Sequence, residues 1–146
     1  MRVSTAVLTA AAGTALLAGC GSSRFSHEEF VLKADAVCAR YNTQVKGLKD
    51  PRSLAEVESY IEQVIPVYRR GLHELMALRP PKADEPLVRR WLSLDRRIER
   101  DVHAILSAVR TRAIPSVSSA LERTAAHERN SRALARHLGL KACSRP

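Results

Sequence analysis

A chain of 146 residues has room for one compact domain and little more. Its composition, with 4% aromatics, 6 glycines and abundant Ala, Leu, Val, Arg and Glu, favours helix over strand and leaves little for a Gly-rich phosphate cradle. The formal charge of +9 is dispersed among acids and forms no dense basic block, which argues against nucleic acid as a partner.

Met1-Arg2 supplies a positive start, and Val3 to Leu17 is an uncharged apolar run. Leu17-Ala18-Gly19-Cys20 follows, with small residues before the cysteine, and the whole reads as a secretory signal. The uncharged stretch from Val3 to Cys20 is 18 residues, short against the ~20 that span a bilayer, and no aromatic or basic flank closes it. Cleavage before Cys20 would remove residues 1–19 and leave 127, with a net charge of +8 once Arg2 is gone. Residues 20–25 then read as a tether and 26–146 as the folded domain.

Ser26 and Glu29 have the spacing of a capping box, with Phe25 and Phe30 at the flanking staple positions. Phe30, Ala34, Val37, Tyr41, Val45 and Leu48 follow at steps of three and four, one face of a helix that Asp50-Pro51 ends. Ser53 and Glu56 open a second helix with the stripe Val57, Ile61, Val64, Tyr68, Leu72 and Leu75. Pro66 lies inside it and is expected to kink it. Pro80-Pro81 ends it, and Asp84 is placed to cap a third helix carrying Leu87, Trp91, Leu94, Ile98, Val102, Ile105 and Val109. Its run Leu94-Asp95-Arg96-Arg97-Ile98-Glu99-Arg100-Asp101 reads as a solvated face laced with i,i+3 and i,i+4 ion pairs.

A fourth helix is expected from about Ser116 to Leu138, with Gly139 as its C-terminal cap. Its stripe of Val117, Leu121, Ala125, Leu134, Ala135 and Leu138 is weaker, and polar residues from His127 to Asn130 cross its middle. Glu128 facing inward toward a neighbouring Arg or His is one reading of that middle; exposure to solvent is the favoured one. Four amphipathic helices with short connections predict an all-α, antiparallel up-down four-helix bundle, preceded by the signal peptide. A three-helix bundle with an irregular fourth segment is the main alternative.

Cys20 lies at the end of the signal, which leaves Cys38 and Cys143 within the folded domain, an even number for an oxidising compartment. In an up-down bundle the end of the fourth helix returns to the end where the first begins. Cys38 lies roughly 18 Å along the first helix. The five residues from Gly139 to Cys143 reach at most ~17 Å, so a disulfide is feasible and close to the limit.

Leu17-Ala18-Gly19-Cys20 is similar to the lipobox of bacterial lipoproteins, and the chain as a whole resembles small lipoproteins of high-GC actinobacteria. The resemblance rests also on Ala34-Asp35-Ala36-Val37-Cys38, on Pro80-Pro81 and on Leu138-Gly139-Leu140-Lys141-Ala142-Cys143. It implies diacylglyceryl transfer to Cys20, anchoring on the extracytoplasmic face of the cell membrane, a helical bundle and the Cys38–Cys143 bridge. It implies no activity.

The chemistry-bearing residues point away from catalysis. His73-Glu74 starts like a zinc-protease helix, but Ala77 stands where the second histidine belongs. His27, His73, His103, His127 and His137 show no ligand spacing, and no Gly-x-Ser-x-Gly is present. No metal, cofactor or catalytic residue is therefore expected. The leading expectation is a non-catalytic binding or adaptor module held at the membrane through lipid on Cys20, with an envelope protein as partner. One alternative is a small-ligand carrier with a pocket opened by the Pro66 kink near Tyr68 and Trp91. Another is a structural protein whose arginines contact anionic headgroups.

Overall fold

Phe25 and Phe30 flank Ser26, whose Oγ accepts the Glu29 N–H at 3.2 Å while the Glu29 carboxylate accepts the Ser26 N–H at 2.8 Å. This reciprocal box starts α1 (His27–Lys46) where the sequence placed it. Ser53 likewise caps α2 (Leu54–Ala77), but Glu56 takes the N–H of Arg52, so only half of that box forms. The computed structural model describes residues 24–145; Cys20, with the rest of the signal segment, lies outside the described residues.

α3 (Glu85–Arg110) and α4 (Ile114–His137) complete an antiparallel bundle, and among the described residues there is no strand. The helices touch in chain order, α1 on α2, α2 on α3 and α3 on α4, the last pair being the most extensive. α2 continues unbroken through Pro66, which is exposed. Asp84 precedes α3 but makes no capping bond: its backbone is helical, at φ -89 and ψ -13, and its Oδ2 pairs with His27 Nδ1 at 2.7 Å. α4 begins two residues earlier than expected, since proline is tolerated in a first helical turn that needs no N–H donor there.

α3 is flanked by α2 and α4 and so buries more than one stripe. Its inward face is Val88, Trp91, Asp95, Ile98, Val102, Ile105 and Val109, a three-four alternation with an aspartate in its middle. α4 answers with small residues: Ala120, Thr124, Ser131 and Ala135 are buried, and Leu138 follows them. Leu121, expected in the core, is 51% exposed, because the packed face runs through Ala120 and Thr124.

The apolar residues form two clusters. One joins Phe30, Ala34 and Val37 of α1 to Leu75, Trp91, Ala135, Leu138 and Leu140. The other gathers Ile61, Ile105, Leu106, Val109 and Ala120 at the far end. Full burial of Trp91 and Phe30 contributes about 2–3 kcal/mol each.

Gly139 adopts φ +80, and the N–H groups of Gly139 and Leu140 return to the carbonyls of Arg136 and Ala135. This is the glycine cap that the sequence predicts, and it turns the tail across α1. There Cys143 is bonded to Cys38, with the Cα atoms 5.1 Å apart and a sequence separation of 105. Arg24 and Phe25, assigned above to the tether, are tied to the α2–α3 connection: Arg24 Nη1 donates to Pro80 O and Phe25 N to Arg79 O.

Candidate functional site

Between the two apolar clusters the bundle carries a polar layer. The charged run of α3 supplies it, and that run is only partly the solvated face expected from the sequence. Asp95 and Asp101 are 9% and 8% exposed, and the partners lie on other helices. Glu99 accepts Arg69 of α2 at 2.8 Å, while Asp101 accepts Arg123 at 3.3 Å and pairs with His127 Nδ1 at 2.7 Å, both on α4. Glu128 bonds Arg132 of its own helix, so the niche in the middle of α4 is built by His127 and Ser131. No hydroxyl or thiol among the described residues is bonded to His127.

Among the described residues Asp95 meets no such cation. Its Oδ1 accepts the Ser131 hydroxyl at 2.6 Å, and its backbone carbonyl accepts the Tyr68 hydroxyl at 3.3 Å. Burial pushes its carboxyl up to about 6, against the smaller lowering effect of Ser131. The Tyr68 hydroxyl is raised well above its ordinary value by burial first, then by the charges of Asp95, Glu128 and Glu99.

Asp95, Ser131 and Tyr68 border a half-open cavity of about 130 Å³, walled elsewhere by Tyr41, Trp91 and the Cys38–Cys143 bridge. Pro66 forms no part of its lining; the wall on α2 is shaped by Gly71. A Cβ there would stand 2.9 Å from Tyr41 Cδ2, so glycine lets the Tyr41 ring rest on the helix backbone. The Tyr41 hydroxyl donates to Glu74, which also accepts Arg40. Asn42 donates from Nδ2 to Ala142 O at 3.1 Å, tying the rim to the tail.

The tail is held by a residue to which sequence reasoning gave no role. The Asp35 carboxylate accepts the N–H groups of Lys141, Ala142 and Cys143 at 2.8, 2.9 and 3.3 Å. The signal available was its place three residues before Cys38. Asp95 carried no such signal, because Leu94 beside it already satisfies the three-four alternation of α3.

Among the described residues no group of three His, Cys, Asp or Glu gathers as a metal site, and no helix is long and apolar enough to cross a membrane. What the cavity offers is recognition chemistry: aromatic walls, one carboxylate and several oriented hydroxyl and amide groups. The chain matches no family model, no curated protein and no solved structure.

Proposed function

We propose that the chain is a lipoprotein, anchored through Cys20 to the extracytoplasmic face of the cell membrane, whose bundle binds a small ligand without transforming it. The signal segment and its terminal Leu17-Ala18-Gly19-Cys20 support the anchor, as does the Cys38–Cys143 disulfide, which suits an oxidising compartment. The observation that carries the ligand reading is the half-open cavity with a nearly buried carboxylate at Asp95. A volume of about 130 Å³ compares with the ~150 Å³ that accommodates benzene in an engineered protein cavity.

The pocket takes precedence over an adaptor role because the exposed large apolar residues are dispersed. Leu32, Met76, Ile114 and Leu121 fall on three helices. A docking face for a protein partner calls for a contiguous patch.

Native mass spectrometry of the lipoprotein, released from its own envelope in mild detergent, tests both halves of the proposal. The expected spectrum shows an acylated chain lacking residues 1–19 with a small added mass. A chain carrying no acyl group overturns the anchor. An acylated chain that never carries or accepts a small molecule overturns the ligand reading and returns the adaptor to first place.

A further inference from the structure

The polar groups around the cavity are oriented in one sense. Ser131 donates its hydroxyl to Asp95 Oδ1, Tyr68 donates to Asp95 O, Tyr41 donates to Glu74, and Asn42 Nδ2 donates to Ala142 O. With these bonds made, the groups that remain for a ligand are acceptors, apart from the second N–H of Asn42. Among the described residues no lysine, arginine or histidine lines the cavity, in a chain with 24 Lys and Arg residues.

The neighbouring acids are already matched. Glu74 has Arg40, Glu99 has Arg69, Glu128 has Arg132, and the other buried acid, Asp101, has Arg123 and His127. Asp95 has no basic partner among the described residues, and its Oδ2 accepts no bond from them. No side-chain oxygen shut away from solvent lacks a partner among the described residues, so Oδ2 keeps an open side. Asp95 is one of the residues that line the cavity.

We propose that the pocket takes a small primary amine, with its ammonium on Oδ2 of Asp95 and its carbon skeleton against Tyr41, Tyr68 and Trp91. This rests on the reading of the same cavity as a ligand site. An N–H donated from a cation to a carboxylate is among the strong hydrogen bonds, and aromatic faces favour a cation stripped of water. Among the lining residues, Tyr68 Oη and Asn42 Oδ1 are acceptors of the right kind for the ammonium's remaining N–H groups. The volume suits a ligand of roughly six to eight non-hydrogen atoms.

The test is a titration of the full lipoprotein in detergent at neutral pH, followed by the fluorescence of Trp91, the chain's single tryptophan. The probes are benzylammonium and benzyl alcohol, its neutral analogue of the same shape, on the wild type and on Asp95→Asn. The expected result is binding of benzylammonium about tenfold or more tighter than benzyl alcohol, a preference lost in Asp95→Asn. Equal binding of the two probes by the wild type overturns the amine while leaving the cavity a ligand site. An undiminished preference in Asp95→Asn, with the helical circular dichroism intact, also overturns it. Binding of neither probe at millimolar concentration overturns the amine. In that case a native small ligand in the mass spectrum preserves the wider ligand reading, and its absence removes that reading as well.

Discussion

The carboxylate of Asp35 accepts the backbone N–H of Cys143 at 3.3 Å, so one turn of α1 both binds the tail non-covalently and, through Cys38, bridges it. With Lys141 and Ala142 donating to the same carboxylate, Asp35 holds the tail by three hydrogen bonds alongside the disulfide. Removing it leaves three N–H groups to find water in a half-covered place. Asp35→Ala is expected to lower stability by about 1–3 kcal/mol in urea unfolding. It is also expected to hasten reduction of the bridge by dithiothreitol at concentrations below the transition. An unchanged reduction rate would show that the bridge holds the tail without help.

Asp95 makes stability depend on pH in a calculable direction. Its carboxyl titrates near about 6 in the folded chain against 3.8 for an ordinary aspartate, so the folded state holds a proton that the unfolded state releases. The favourable contribution is complete below 3.8 and is lost as pH rises through about 6, a difference of about 3 kcal/mol. Asp95→Asn keeps an acceptor for Ser131 and carries no charge. It is expected to be more stable than the wild type above neutrality, by up to about 3 kcal/mol, and to match it only below pH 3.8. Chemical denaturation at a series of pH values checks the sign directly.

Gly71 is required by a close approach. Gly71→Ala sets a methyl 2.9 Å from Tyr41 Cδ2, near the root of a ring that cannot move without breaking its bond to Glu74. A loss of about 1–3 kcal/mol is expected, with a shift in Trp91 emission as the pocket wall moves. A neutral outcome would mean that α1 and α2 separate freely, and that Tyr41 does not define the wall.

Arg112, in the turn between α3 and α4, has φ 55, the left-handed conformation that glycine adopts without steric cost. Its N–H and that of Ala113 bond back to Val109 and Ala108, so the turn has the same form as the one at Gly139. Arg112→Gly is expected to raise stability by about 1 kcal/mol, visible as a higher Tm. Gly139→Ala should cost a similar amount, and the pair together calibrate the two turns.

Much of the fold is legible in the residues because the deciding forces are local. Ser26 and Ser53 start helices through bonds that span three residues, and Gly139 ends one through its own φ. The apolar positions of α1 and α2 fall on single faces, since each helix covers the core from one side. The three-four steps needed no knowledge of the neighbours. The up-down order and the even count of remaining cysteines made the pairing of Cys38 with Cys143 feasible, and the structure contains it.

The site was decided in three dimensions. A charged run on α3 looks like a water-facing surface until α2 and α4 close over both flanks. Whether Asp95 meets an arginine or only a serine depends on the register between helices that no local pattern records. α4 hid its packed face because that face is Ala120, Thr124, Ser131 and Ala135, residues whose smallness permits close contact and whose polarity masks the period. Helix starts, ends and apolar stripes are set by interactions within a few residues, which a sequence displays. The one buried carboxylate without a basic partner among the described residues exists only because elements distant in the chain arrive with their cations committed to other acids.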